Sequence, residues 1–137
     1  MLGITRRNGE TEKPLLESEL TDLIIGKAIV VHSFLGPGLL ESVYEACLAY
    51  ELNESGLFVE RQKILPVKYK CIELDDGLRM DMLIERKIVL ELKCVETLLP
   101  VHEAQLYTYL KLSGFRVGFL FNFYTKYLKD GMKRIVL

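Results

Sequence analysis

The chain has 137 residues, 50% of them hydrophobic and 27% charged, which suits one compact domain and leaves little room for a second. Lys and Arg number 18 against 19 Asp and Glu, so the net charge of −1 lacks the basic excess of many dedicated nucleic-acid binders. No uncharged apolar run approaches the roughly 18 residues that span a bilayer, and we expect no membrane association. The 3 cysteines form no Cys-x-x-Cys pair, which favours a reducing cytoplasm over a disulfide framework or a zinc site.

The N-terminal part of the chain divides into an arm and the start of a domain. Residues 1–18 have no sustained apolar period and predict a flexible arm, followed by one domain over residues 19–137. From Leu20 onward, apolar residues recur at helical spacing. We expect Ser18 to cap this first helix and Gly36-Pro37-Gly38 to end it.

A second helix and an edge strand are predicted next. The helix begins at Glu41 and is closed by Gly56. Residues 58–69 alternate at a period near two, with Pro66 at an edge position or a bulge, and predict one edge strand or two short pieces. Asp75-Asp76-Gly77 then predicts a turn.

A hairpin and a crossover follow. Residues 78–84 and 88–94 predict two strands joined at residues 85–87, and a third helix begins at Pro100 and ends at Gly114. The apolar run that follows the third helix is typical of a buried strand. A strand, helix and strand in this order predict a right-handed crossover between parallel strands, with a last short strand over residues 133–137. The predicted class is α/β, with a central mixed sheet flanked by helices.

Polar residues gather on one face of the predicted hairpin. Alternation places Arg79 and Asp81 on one face of the first arm, and Glu91 with Lys93 on one face of the second. A turn centred on Arg86 then sets Asp81 opposite Glu91. The other face of the first arm carries the apolar residues Met80, Met82 and Ile84.

Two carboxylates opposite each other indicate a cation. Like charges at this distance are destabilising, and Mg²⁺ is typically held by one or two carboxylates together with substrate phosphate. Asp81 and Glu91 supply that number, and the Leu92 carbonyl lies near. Lys93 could orient the attacking water or neutralise charge at phosphorus. The alternative is a solvated face on which Arg79 and Lys93 simply neutralise the two acids.

Two further groups of polar residues admit both a structural and a functional reading. On the third helix, the side that we expect to be apolar also carries three polar residues, which either form a satisfied core network or point into a site. The apolar residues of that side are Val101, Leu106 and Leu112, and the polar ones are His102, Gln105 and Tyr109. His102 is a candidate phosphate contact. Glu41 follows the glycine-rich bend and begins a helix. Its negative charge either interacts favourably with the helix dipole or belongs to the site.

These residues together resemble a known pattern. Asp81 followed by Glu91-Leu92-Lys93 resembles the signature of the PD-(D/E)XK nuclease superfamily, although Met80 stands where the superfamily's name has proline. The segment from Gln105 to Tyr109 resembles the Gln-x-x-x-Tyr motif of its exonuclease-type members. Gly38-Leu39-Leu40-Glu41-Ser42-Val43-Tyr44 matches the motif after which the GxxExxY family is named.

The resemblance implies a restriction-endonuclease-like core of the order α-β-β-β-α-β, with its site where the central strands diverge. Asp81 and Glu91 would be metal ligands for Mg²⁺ or Mn²⁺, Glu41 an additional acidic ligand, and Lys93 the catalytic lysine. The residues expected to support the site or contact substrate are Gln105, Tyr109, His102, Arg79 and Tyr44.

Two functions from different classes fit this sequence. The first is a metal-dependent nuclease that acts on DNA more than on RNA. The alternative is a catalytically silent binding or assembly module for nucleic acid or a protein partner. Two stretches, residues 61–70 and 126–134, carry a local basic excess that would hold a nucleic-acid backbone or form a solvated face. A homodimer is a working hypothesis, since a minimal core offers little surface to clasp a duplex.

Overall fold

A computed structural model describes residues 17–137, so most of the predicted arm lies outside the described residues. Ser18, the expected cap of the first helix, lies within its first turn. The elements in chain order are α1 (Glu17–Leu35), α2 (Glu41–Glu54), β1 (Val59–Tyr69), β2 (Ile72–Ile84), β3 (Ile88–Lys93), α3 (Pro100–Ser113), β4 (Val117–Asn122), a short 3-10 helix (Leu128–Gly131) and β5 (Met132–Val136). None of the described helices is both long and apolar enough to cross a membrane.

The five described strands form one mixed sheet in the order β1-β2-β3-β4-β5. Neighbours are antiparallel except β3 and β4, which run parallel and are joined through α3. This arrangement confirms the predicted α/β class with a central mixed sheet flanked by helices, and it agrees with the restriction-endonuclease-like core that the resemblance implies.

Helices cover both faces of the sheet. One apolar cluster joins α1 and α2 to the sheet through residues that include Leu20, Ile24, Leu48, Met82, Leu90, Phe119 and Phe121. A second cluster joins α3 to the opposite face through Met80, Leu83, Val89, Leu106, Leu110 and Leu120. Because both faces are covered, all six residues of β4 are buried, as predicted for a central strand.

The apolar side of α3 differs from the prediction. Leu106 and Leu110 are its buried residues, whereas Val101 and Leu112 are 63% and 46% exposed. The inward face is therefore narrower than the sequence indicated, because only one line of side chains along this helix meets the sheet. Gln105 and Tyr109 lie beside that line, at the edge of the helix-sheet interface.

The predicted turn at residues 75–77 is wrong. The chain reverses at residues 70–71 instead, and β2 runs through Asp75-Asp76-Gly77. The register shifts within this pair of strands, because Leu65 pairs with Leu78 whereas Val67 pairs with Leu74. Asp75, Asp76 and Gly77 therefore lie opposite Pro66 in a bulge. Proline has no N–H for the ladder, and Gly77 packs against Val67 where a Cβ would overlap it.

The predicted alternation along β2 also breaks at one point. Met80 packs in the α3-side cluster with Leu83, whereas Met82 faces α1 and α2. Two residues that strict alternation places on one face therefore lie on opposite faces. The break falls at Asp81, and Gln62, which the register places opposite Asp81 on β1, has a positive φ of 50°.

Candidate functional site

The β2–β3 ladder opens where the two predicted acids face each other. Its last pair is Met82 with Leu90, and the same register sets Asp81 opposite Glu91. The backbone N–H of Asp81 donates to Glu91 Oε2 at 2.9 Å, and the Leu92 N–H donates to Asp81 Oδ2 at 2.8 Å. Each carboxylate thus accepts a hydrogen bond that a backbone carbonyl accepts in a regular ladder. The strands β2 and β3 separate at this point.

Burial and mutual repulsion disfavour the charged forms of both acids. Glu91 is 3% exposed, and burial followed by the charge of Asp81 raises its pKa to about 8. Burial is also the main cause that raises the pKa of Asp81, whose hydrogen bond from the Leu92 N–H acts in the opposite direction. Two adjacent carboxyl groups with raised pKa values form a site that a cation would stabilise in its charged form.

Glu41 faces the same site from the start of α2. Its pKa is raised by desolvation and then by the charge of Asp81, while Lys93 lowers it. Three acids from three elements therefore interact electrostatically.

Tyr44 fixes the bend that delivers Glu41. Gly36 and Gly38 have φ values of 73° and 104°, which only glycine adopts without strain. The Tyr44 hydroxyl donates to the Gly36 carbonyl at 2.5 Å and accepts from the Leu39 N–H at 3.1 Å. Its ring is fully buried and stacks on Phe123, with centroids 4.6 Å apart. Tyr44 therefore supports the site from inside the core and cannot itself contact substrate.

Lys93 and two residues of α3 close the other side of the site. Lys93 Nζ donates to Gln105 Oε1 at 3.5 Å, and Gln105 Nε2 donates to the Tyr109 hydroxyl at 3.3 Å. Desolvation, followed by the charges of Glu91 and Asp81, raises the pKa of Tyr109. Tyr109 is thus within electrostatic reach of the acids, and Gln105 links its hydroxyl to the Lys93 side chain.

The remaining predicted residues lie at different distances from this centre. Arg79 is exposed on β2, and its charge lowers the pKa of both Asp81 and Glu41. His102 is partly buried at the start of α3, where its Nδ1 accepts the Leu99 N–H at 2.9 Å. His102 therefore has a capping role, which leaves one ring nitrogen for any other contact.

An additional ion pair next to the site was not predicted from the sequence. Glu45 is 7% exposed, and it accepts hydrogen bonds from Arg61 Nε at 3.1 Å and from Gln62 Nε2 at 2.6 Å. Its charge contributes to the raised pKa values of Glu41 and Asp81. Helical spacing places Glu45 on the face of Glu41, but its partners come from β1, and no sequence signal links them.

The donor chemistry of the site fits a divalent cation. Asp81 and Glu91 each commit one oxygen to a backbone N–H, which leaves the second oxygen of each free as a hard donor. Within residues 17–137, no His, Cys, Asp and Glu side chains form a group of three or more arranged to hold a metal ion. A two-carboxylate site completed by water and substrate phosphate is common for Mg²⁺, and Glu41 would join it only by moving its side chain.

Comparison with known proteins gives the superfamily of this chain. A family model described as the PD-(D/E)XK nuclease superfamily matches residues 18–135, and the chain belongs to that superfamily. Nucleases of this superfamily generally use divalent metals. No curated protein and no solved structure matched the chain.

Proposed function

We propose that this protein is a metal-dependent nuclease that hydrolyses phosphodiester bonds in DNA more than in RNA. The observation that carries the proposal is the convergence of Asp81, Glu91 and Lys93 where β2 and β3 separate, with Glu41 facing them from α2. Membership of the PD-(D/E)XK nuclease superfamily supports it. We further propose that the chain belongs to the GxxExxY family, which the motif from Gly38 to Tyr44 supports.

The acids would hold Mg²⁺ or Mn²⁺. Asp81 and Glu91 would ligate through their free oxygens, with Glu41 and the Leu92 carbonyl as additional donors. A bound divalent ion there stabilises negative charge on phosphate and lowers the pKa of a bound water. The ion would also compensate two carboxyl groups that burial otherwise drives toward their neutral forms.

Lys93 would act on the reacting phosphate as a positioned cation. Gln105 restrains its Nζ on the site side, and Tyr109 restrains Gln105 in turn. From that position the ammonium can donate to the attacking water or to a phosphate oxygen, and its charge offsets the charge that develops at phosphorus. Arg79, exposed on the same strand as Asp81, would contact a flanking phosphate.

Cleavage assays test this proposal. The wild type is incubated with Mg²⁺ or Mn²⁺ and a panel of single-stranded, duplex, nicked and flapped DNA and RNA, beside Asp81→Ala, Lys93→Ala and the control Lys87→Ala in the exposed β2–β3 turn. We expect the first two changes to reduce cleavage by about 10²-fold or more and the control to leave it unchanged. Cleavage that survives both Asp81→Ala and Lys93→Ala would refute the assignment of the site.

A catalytically silent binding module is the second candidate, and one observation favours it. The chain has only 137 residues, and its net charge of −1 lacks the basic excess of many dedicated nucleic-acid binders. Such a module would bind nucleic acid or a protein, and it would not cleave nucleic acid with either Mg²⁺ or Mn²⁺. Lys93→Ala separates the two functions, because a nuclease loses turnover while a binding module loses at most one charge contact.

A further inference from the structure

A cavity of about 260 Å³ lies beyond the carboxyl ends of β3 and β4. It is lined by the loop after β3 and by the segment that leads into β5, and we call it the β4–β5 pocket. It shares no residue with the candidate nuclease site. The side chains that give it its chemical character are Glu96, Thr97, Leu98, Asp130, Met132 and Lys133.

The topology of the sheet favours a ligand site at this end. β3 and β4 are parallel, so their carboxyl ends lie side by side. After β3 the chain crosses to α3 on one face, whereas after β4 it enters the 3-10 helix, whose Leu128 packs with α1 and α2 on the other face. In open α/β sheets, ligands bind in the crevice that forms where successive connections leave to opposite faces.

Buried hydrogen bonds fix the backbone around the β4–β5 pocket. Asn122, 1% exposed at the end of β4, accepts from the Val95 N–H at 3.1 Å and donates to the Val95 carbonyl at 2.8 Å. The Thr125 hydroxyl donates to the Asn122 carbonyl at 3.1 Å. Gly131 packs so closely that a Cβ there would lie 2.5 Å from the same carbonyl oxygen. The pocket is therefore preorganised, and a ligand can bind without ordering the chain.

The polar side chains of the pocket have no partners among residues 17–137. Glu96 and Asp130 accept no side-chain hydrogen bond and form no ion pair there. Lys133 and the Thr97 hydroxyl are likewise without a partner. Two carboxylates and one ammonium group thus line one cavity without pairing, which leaves both acceptors and donors for a ligand.

This lining fits a nucleobase with its phosphate. Leu98 and Met132 supply apolar contacts for a flat ring. Because carboxylates only accept hydrogen bonds, Glu96 and Asp130 favour a base with an exocyclic amino group. Cytosine, adenine and guanine carry such a group, whereas thymine has a carbonyl oxygen in its place. Lys133 supplies the cation for a phosphate.

The register of the sheet puts the pocket close to the candidate nuclease site. Leu120 of β4 pairs with Glu91 on one side and with Lys133 on the other, so the three lie at one level of the sheet. Lys133 is therefore two strands from Glu91, or about 10 Å at the usual strand spacing. A stacked strand covers that distance in about three nucleotide steps.

We propose that the β4–β5 pocket binds an unpaired, amino-bearing base of the substrate strand, with Lys133 on a phosphate beside that base. This proposal rests on the proposed nuclease function, and it adds a preference for cytosine, adenine or guanine over thymine at one position near the cleaved bond. The base is unpaired because a base in a duplex presents its Watson–Crick edge to its complement and not to a protein pocket.

Methionine methyl NMR of the full chain in EDTA tests the ligand without reference to cleavage. Met132 lines the pocket, whereas Met80 and Met82 are fully buried in the core and serve as internal controls. We expect dCMP to shift the Met132 signal with an affinity at least about fivefold higher than that of dTMP. Deoxyribose 5-phosphate should not shift it. Equal responses to dCMP and dTMP, or an equal response to deoxyribose 5-phosphate, would overturn the proposal.

Two matched double variants test the carboxylates. Glu96→Gln with Asp130→Asn keeps the size of both exposed side chains but gives each an amide that also donates, so the preference for dCMP over dTMP should disappear. Glu73→Gln with Asp75→Asn removes the same charge at exposed positions of β2 and should keep the preference. A preference that survives the first pair of changes would overturn the assignment.

Oligonucleotides distinguish a substrate strand from a free nucleotide. In EDTA, single-stranded oligodeoxycytidylate should bind at least about fivefold more tightly than oligothymidylate of equal length and should shift Met132. Binding of dCMP without this difference between the strands would assign the pocket to a free nucleotide and overturn the proposal. Cleavage without a base preference would refute the pocket alone, whereas a base preference without cleavage would refute the proposed nuclease function.

Discussion

The side chain of Glu91 is almost completely shielded from water. It is 3% exposed, and it lies beside Asp81, which repels its charged form. A buried acid next to another acid lowers stability when both are ionised. The protein tolerates this arrangement at one position, where the β2–β3 ladder opens, and a bound cation is the compensation that the local chemistry favours.

Glu91→Gln is expected to change the pH dependence of stability in the metal-free protein. The folded pKa of Glu91 is raised from 4.5 to about 8, so its contribution to stability is fully present below 4.5 and is lost as the pH rises toward 8. Glutamine does not titrate, so the variant should become progressively more stable than the wild type over that range. Urea unfolding in EDTA at several pH values measures the difference.

The same variant should lose the stabilisation that Mn²⁺ gives to the wild type, because binding to the folded state raises stability by mass action. Glu96→Gln, at an exposed acid in the loop after β3, is the matched control and should keep both the pH dependence and the metal response. An unchanged metal response in Glu91→Gln would remove Glu91 from the ligand set.

Arg61 is expected to contact a phosphate of the bound strand. Buried Glu45 holds its Nε at 3.1 Å, while the side chain remains 46% exposed and its terminal N–H groups stay available. Arg61→Gln should lower the slope of log affinity against log salt by about 1. Lys63→Gln, whose lysine already pairs with Glu60 at 2.8 Å, should change the slope less.

A stability measurement distinguishes an effect of Arg61 on phosphate contact from an effect on folding. Arg61→Gln leaves Glu45 without its charged partner and should reduce stability by about 1 kcal/mol. Adding Glu45→Gln should recover stability without recovering affinity. If the double variant regains the wild-type salt slope, Arg61 acts on the fold alone.

At the scale of elements, the bend between α1 and α2 controls where Glu41 lies. Tyr44→Phe removes a hydroxyl that bonds both the Gly36 carbonyl and the Leu39 N–H. We expect a loss of about 1 to 3 kcal/mol in urea unfolding, because two polar groups of the bend lose their partner. Tyr50→Phe, at a 62% exposed tyrosine of the same helix, should be neutral. Equal effects of the two changes would show that the bend does not depend on this hydroxyl.

Elements with one dominant local signal were predictable from the sequence, and those shaped by contacts between strands were not. The Glu85-Arg86-Lys87 turn and the alternation around it gave the observed register, which is why Asp81 meets Glu91. Asp75-Asp76-Gly77 has turn composition, but such residues serve a bulge equally well when a proline lies opposite.

The unpredicted part of the site depends on backbone geometry that no residue type indicates. Gln62 adopts a positive φ in β1, and its side chain and that of Arg61 both reach Glu45 on α2. The break in alternation at Asp81 falls at the same level of the sheet. Sequence pattern therefore predicted that Asp81 lies opposite Glu91, whereas the ion pair beside them required the three-dimensional contacts.

At the scale of the whole molecule, charge is separated between two parts of the chain. The α1–α2 region has six more acidic than basic side chains, and residues 57–137 have four more basic than acidic ones. The near-neutral total thus conceals two parts of the chain with net charges of opposite sign. The phosphate backbone of a nucleic acid is attracted to residues 57–137, which form the sheet and α3, and it is repelled by α1 and α2. The candidate site draws on both parts of the chain, and Glu41 is the residue that the acidic part contributes.

Removing Lys129 and Lys133 together should therefore weaken DNA binding and lower the salt slope by about 2, because both lie in the basic part of the chain. Lys27→Ala, at the lysine of the acidic helices, is the matched control and should leave affinity unchanged or lower it slightly, since the loss of one positive charge makes a surface that already repels the backbone a little more acidic. Fluorescence anisotropy with a labelled duplex at several salt concentrations measures both. If Lys27→Ala lost as much affinity as the double variant, DNA would lie across α1 and α2, and the separation of charge would not orient it.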